Sequence, residues 1–235
     1  MADIHGDILI LEANSDHEIY SLQICEEMES SAKIRGTGIA KRSPEYLTKK
    51  MEEGKAVIAL TKDGTWVGFC YIETWEGDYV ANSGLIVSPD FRKTGVAKGI
   101  KQKIFELSRR KYPNAKIFGL TTGLAVMKIN SDLGYEPVTY SELTQDEEFW
   151  KGCQSCVNFE ILKMKERKNC MCTAMLYDPV VQKHDAAKKF AEELHKNPTL
   201  YERFMSIKQK LVLKSKSPNK KGLKSLFLLF TVLFK

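Results

Sequence analysis

No apolar run in this chain of 235 residues is long enough to cross a bilayer, which takes about 20 residues. The apolar end, Leu226–Phe234, holds eight apolar residues and Thr231. No apolar stretch follows a basic start at the N-terminus, so no secretory signal is expected. Without one, six cysteines point to a reducing, cytoplasmic setting, and to thiols or a metal ion rather than disulfides. No segment repeats. Residues 206–235 lack any acid but carry eight lysines, so the net charge of +6 is concentrated there. The remainder holds 28 basic against 30 acidic residues, which excludes nucleic-acid binding by bulk charge. The Lys-rich tail suits an anionic membrane surface, where contact would be peripheral, or equally a partner or the mate in a homodimer, with a dispensable extension as the preferred alternative.

What is present is 43% hydrophobic residues, enough for a core of one domain with appendages. Strands are expected at Asp7–Glu12, Ala56–Leu60, Val67–Thr74 and Tyr79–Val87, with hairpin turns at Asp63-Gly64 and around Glu76-Gly77-Asp78. Ser15-Asp16-His17-Glu18 reads as a capping box opening one helix, and Ser43-Pro44 opens a second that Gly54 ends. An amphipathic helix follows Gly95 and stops before Pro113. A strand at 117–120, a helix ending near Asn130 and a strand to about Tyr140 complete the pattern. Hairpins followed by βαβ units give an α/β fold, a mixed sheet flanked by helices. The expected organisation is a core over 1–140, a Cys-containing extension packed on it over 141–180, a charged helical segment over 181–213, and a basic and apolar tail over 214–235.

The stretch Leu85-Ile86-Val87-Ser88-Pro89-Asp90-Phe91-Arg92-Lys93-Thr94-Gly95-Val96-Ala97 delivers a strand to a helix N-terminus through small and basic residues. Free backbone N–H groups and the positive end of the helix dipole make that a phosphate cradle. Arg92-x-x-Gly95-x-Ala97 resembles the pyrophosphate loop of the GNAT superfamily of acyl-CoA N-acyltransferases. The segment Asn130-Ser131-Asp132-Leu133-Gly134-Tyr135 resembles that superfamily's second signature. The likeness covers roughly residues 5–140. Residues 33–42 and the Cys-bearing region are further similar to a bacterial subgroup that accompanies arginine-biosynthesis genes.

The resemblance implies acetyl-CoA, or succinyl-CoA, as acyl donor, lying between two splayed strands. Backbone N–H groups near Ile86 and Val87 would hold the thioester oxygen. Arg92, Lys93, Thr94, Gly95, Val96 and Ala97 would hold the pyrophosphate. The amine would attack directly in a ternary complex, so no enzyme nucleophile is needed. Many members place a Tyr general acid where this chain has Asn130, and a Glu base near what is here Ala81-Asn82. Glu73 then remains as the base, acting through a water that Asn82 orients, unless it is only a salt-bridged strand residue. Cys70 reads as a buried, inert thiol.

Lys33–Arg42 combines four cations with two glycines in one connection. Arg35, Lys41 and Arg42 suit a small amine substrate with carboxylates, and the subgroup likeness points to an N-acylglutamate-forming enzyme. The alternatives are a non-catalytic acyl-CoA sensor and a protein or peptide acetyltransferase. Cys153-x-x-Cys156 and Cys170-x-Cys172 lie thirteen residues apart. A hairpin of 157–163 with 170–177 would gather them into a structural zinc site, with plain reduced thiols as the alternative.

Overall fold

A computed structural model describes residues 3–35 and 40–196 except 6 and 76, with isolated positions beyond. The side chain of Arg35, residues 36–39, most of 197–213 and the tail 214–235 lie outside the described residues. The chain divides into two compact units, Met1–Asp178 and Pro179–Lys235.

The first unit is built on one eight-stranded sheet. Its strands are β1 (Asp3–His5), β2 (Ile8–Glu12), β3 (Ala56–Thr61), β4 (Trp66–Trp75), β5 (Tyr79–Val87), β6 (Lys116–Thr121), β7 (Glu136–Val138) and β8 (Thr173–Tyr177). The spatial order is β1-β2-β3-β4-β5-β6-β8-β7. All neighbours run antiparallel except β5 and β6, which are parallel. The expected mixed sheet flanked by helices is therefore present.

Its helices are α1 (Ser21–Arg35), α2 (Pro44–Glu52), α3 (Val96–Lys111), α4 (Leu124–Asp132), α5 (Glu147–Lys151) and α6 (Phe159–Met164). Ser43 caps α2 by accepting from the Tyr46 N–H, with Pro44 in the first turn. A 3-10 turn over Ser15–Tyr20 precedes α1. Its reciprocal cap is made one residue earlier than expected, where the Asn14 N–H donates to His17 Nδ1 at 3.2 Å.

Strand alternation sorts the core onto two faces. On one, Val67, Cys70, Ile72 and Val80 pack against Val96, Ile100, Ile104 and Leu107 of α3. On the other, Ile58, Phe69, Tyr71 and Ile86 meet Ile24 and Met28 of α1 and Leu47 and Met51 of α2. A separate cluster joins Ala81, Phe118 and Leu176 to Tyr140, Leu143, Trp150 and Leu162 of the segment after β7. Helices α1 and α2 and that segment thus cover the same face as Phe69 and Ala81.

Two expectations are corrected. Residues 157–163 do not form a strand: α6 occupies Phe159–Met164, burying Leu162. No hairpin there joins the cysteine pairs. The core also does not stop at 140, because β8 pairs with both β6 and β7 inside the sheet. The second unit contributes α7 (Pro179–Lys196). Among the described residues no helix is long and apolar enough to cross a membrane.

Candidate active site

Strands β5 and β6 pair over only three positions: Tyr79 with Lys116, Val80 with Ile117 and Ala81 with Phe118. Beyond them no pairing continues, and the sheet opens. On its other side β5 carries a bulge. The register to β4 passes from Phe69 opposite Ile86 to Tyr71 opposite Ser83, leaving Gly84 and Leu85 facing Cys70. Gly84 sits at φ +66°, and a Cβ there would come within 2.3 Å of the Tyr71 ring, so only glycine fits.

Past the bulge, Ser88 donates its N–H to the Val67 carbonyl at 2.9 Å. Donors alternate along an antiparallel strand. Ile86 therefore directs its N–H to β4, while Val87 directs its N–H toward the opening. Of the two residues expected to hold a thioester oxygen, Val87 is oriented for it and Ile86 is committed to the sheet.

β5 leads to α3 through an exposed loop. Arg92, Lys93, Thr94 and Gly95 are exposed, Val96 is buried and Ala97 half-buried. Lys93 and Gly95 adopt φ +65° and +91°, and Gly95 is the N-cap of α3. Thr94 braces the turn by donating its hydroxyl to the Phe91 carbonyl at 2.7 Å. The Lys98 N–H is already bonded to the Gly95 carbonyl at 2.9 Å, while the N–H groups of Val96 and Ala97 precede any intrahelical acceptor and are the donors of the expected cradle. Arg92 is not among them. Its guanidinium donates to Glu27 and Ser31 of α1, both at 2.7 Å, and its Nε to the Val87 carbonyl at 3.1 Å. It ties α1 to the end of β5.

On the α1–α2 face, beside the point where β5 and β6 part, lies a compact polar cluster. Glu73 of β4 stands opposite Ala81, and its carboxylate meets Lys50 Nζ of α2 at 2.7 Å. Both side chains are about one-seventh exposed (14% and 13%). Arg42 donates from Nε to the Tyr71 hydroxyl at 2.8 Å. Arg42 and Lys50 both lie over the Tyr46 ring, 5.2 and 5.1 Å from its centroid. Burial pushes the Glu73 carboxyl up to about 7, with Arg42 pulling it back, and pushes the Lys50 ammonium down to about 8. Their 2.7 Å contact opposes both shifts and favours the charged pair. Lys50 and Tyr46 were missed in the sequence, where they are an ordinary lysine and tyrosine on an amphipathic helix.

The remaining expected residues are placed as follows. Lys41 pairs with Glu29 at 3.2 Å on the exposed surface, outside the Glu73 cluster. Arg35 lies at the end of α1 with its side chain outside the described residues. Asn82 neighbours Glu73's partner Ala81, so its side chain takes the opposite face. There it donates to Ser108 Oγ at 2.8 Å and accepts from the Tyr135 hydroxyl at 3.0 Å. It cannot orient a water for Glu73. Asn130 is buried in α4; its Nδ2 points at Met175 Sδ, 3.8 Å away, and its Oδ1 has no protein partner. Cys70 is fully buried, with its thiol pushed up to about 11 by that burial, as an inert core thiol should be.

The four cysteines do gather, by another route than a hairpin. Cys153, Cys156, Cys170 and Cys172 line one cavity of about 30 Å³ together with Leu120, Tyr140 and Phe159. Burial and one another's charge push Cys153 up to about 11 and Cys172 to about 12. As they stand, no group of three or more His, Cys, Asp or Glu among the described residues is arranged to hold a metal ion.

Comparison with known proteins follows this geometry. No curated protein matches the chain in sequence. The solved N-acetylglutamate synthase of Neisseria gonorrhoeae, complexed with coenzyme A and N-acetyl-glutamate, is similar in fold. It is 18% identical, covers 74% of this chain and 35% of its own, and has a TM-score of 0.53. The Mycobacterium tuberculosis protein Rv2747, solved in complex with CoA and NLQ, is 16% identical over 72% of this chain and 98% of its own, with a TM-score of 0.52. This chain spans about a third of the gonococcal synthase. At such identities the likeness shows the fold. Residues 23–126, which build the parted strands, the cradle and the Glu73 cluster, match the model of the acetyltransferase (GNAT) family.

Proposed function

We propose that the protein transfers the acetyl group of acetyl-CoA to the amine of a small acidic amino acid, glutamate or one like it. The observation that carries this reading is the Glu73 cluster beside the parted strands: a near-neutral carboxyl among two cations, Arg42 and Lys50. The carboxyl suits an ammonium that must lose a proton, and the cations suit carboxylates on the same substrate. A fold neighbour solved with coenzyme A and N-acetyl-glutamate supports the same donor and acceptor class.

In this reading the pyrophosphate of the donor rests on the N-terminal N–H groups of α3. The Val87 N–H holds the thioester oxygen. Glu73 removes a proton from the bound ammonium. The freed amine forms a bond to the acyl carbon, the oxygen gains charge against that N–H, and the C–S bond then breaks. The thiolate takes its proton from solvent, since Asn130 offers only an amide. The buried, unpartnered Oδ1 of Asn130 is an acceptor for an N–H or S–H of the donor.

Thiol release from acetyl-CoA and succinyl-CoA, measured against free amino acids including glutamate and ornithine, tests the proposal. Turnover with acetyl-CoA and an acidic amino acid is the expected result. Saturable CoA binding with no turnover on any acceptor would instead support a sensor.

A further inference from the structure

We propose that Lys50 is a positioning residue for the base: it holds Glu73 ionised and fixed on the acceptor face, and it leaves Arg42 as the cation that meets the substrate. This role rests on the transfer reading and divides the two cations of its site between base and substrate.

Backbone geometry fixes where the Lys50 side chain starts. The Ile72 N–H, one residue before Glu73, donates to the Lys55 carbonyl at 2.7 Å, and the Lys55 N–H donates to the Lys50 carbonyl at 2.8 Å. Two hydrogen bonds thus tie the last turn of α2 to β4 beside the base. From there Lys50 reaches the Glu73 carboxylate at 2.7 Å, with both side chains almost withdrawn from water. The Tyr46 ring, four residues earlier on α2, supports the ammonium from 5.1 Å. Among the described residues, Lys50 is the one in direct contact with the Glu73 carboxylate. A cation at that distance favours the ionised carboxylate, and the hydrogen bond fixes its direction.

Arg42 is held by other edges of its guanidinium. Nε donates to the Tyr71 hydroxyl at 2.8 Å and Nη1 to the Lys41 carbonyl at 3.0 Å. Nη2 faces Gly152, where a Cβ would stand 3.6 Å away. The absence of a side chain at 152 leaves that side of the fork uncovered, and a guanidinium edge is shaped for a carboxylate. The other charged and titratable groups act from further off. Lys49 and Glu53 of α2, Lys55 just before β3 and Arg42 act on Lys50. Arg42 acts on Glu73, on Tyr71 of the same strand face, and on Cys153 of the segment after β7. β5 places only Ala81 opposite Glu73.

The pH at which Glu73 ionises is the readout, with turnover and without it. Burial holds the carboxyl near 7, and loss of an adjacent cation raises a carboxyl further. In Lys50→Met the acid limb of kcat/KM should move up by about one pH unit or more, lowering activity at neutral pH roughly fivefold or more. Lys50→Arg should restore the limb. Above the limb the acceptor KM should change little in Lys50→Met, whereas Arg42→Gln should raise it severalfold. In the absence of substrate, full-length protein labelled with carbon-13 at its glutamate carboxyl groups shows the Glu73 resonance as the one lost in Glu73→Gln. Its titration midpoint should rise by about one pH unit or more in Lys50→Met and return in Lys50→Arg. Lys50→Gln gives the same comparison if the methionine variant is not folded by circular dichroism. The shift in midpoint without turnover on any acceptor would support the pairing while the transfer reading fails. A midpoint and acid limb unmoved in the folded variant overturn the proposal. So does an acceptor KM raised severalfold with the limb unmoved, which would make Lys50 a substrate ligand.

Discussion

Glu73 was legible in the sequence as the carboxylate left once the usual strand position proved to be an amide. What was not legible is the setting that suits it to act as a base: its burial, and Lys50 arriving from α2 at 2.7 Å. A base acts only when deprotonated, and burial holds this carboxyl near 7. Acetyl transfer should therefore fall as pH drops below about 7 in kcat/KM profiles. Glu73→Gln should remove that acid limb and lower kcat by roughly 10²–10⁴-fold. Asn82 was misread for a geometric reason: adjacent strand residues face opposite ways, and only the register shows which shares a face with Glu73. Arg92 was expected as a phosphate ligand because a cation beside a phosphate loop looks like one; its protein partners were not legible. Bound to Glu27, Ser31 and the Val87 carbonyl, it should act on stability. Arg92→Ala should cost about 1 kcal/mol in denaturant titrations, allowing for solvent screening of a partly exposed pair. The acetyl-CoA KM should change little.

Among the elements, capping and turn residues marked α2, α3 and the first hairpin correctly, because Ser43-Pro44, Asp63-Gly64 and Gly95 act locally. The segment 157–163 went the other way. Val157, Phe159 and Ile161 alternate like a strand, yet Leu162 is the buried residue and Ile161 is 38% exposed. A short apolar run is ambiguous until a neighbour chooses its period. The place of β8 between β6 and β7 was likewise unreadable, since strand order is a long-range property. The bulge in β5 offers a test at this scale. Gly84→Ala forces a Cβ against the Tyr71 ring at positive φ. It should cost about 1–3 kcal/mol in unfolding measurements, and it should weaken catalysis by displacing the Val87 donor. If both stability and kcat are unchanged, the bulge does not set that donor.

Over the whole molecule, the mixed sheet with helices on both faces was foreseen from the alternation of hairpins and βαβ units. The charge argument also operated at this scale, separating a near-neutral body from a Lys-rich tail that lies outside the described residues. A ligand that binds only the folded state raises stability by mass action. Acetyl-CoA at a hundred times its Kd should therefore add about 2.7 kcal/mol, visible as a rise in Tm. That rise should shrink with added salt, because part of the affinity is for phosphate.

The three-residue pairing of β5 with β6 gives this sheet four edges instead of two, a pair at its rims and a pair in its middle. At a rim, unmatched backbone groups invite strands from other chains and must be blunted. In the middle, the same unmatched groups are flanked by the two halves of one sheet, where a slender amide-bearing chain can enter and a foreign strand has no free side to approach. The feature that makes an outer edge an aggregation hazard would become, when moved inward, a source of ligand affinity in the proposed transfer.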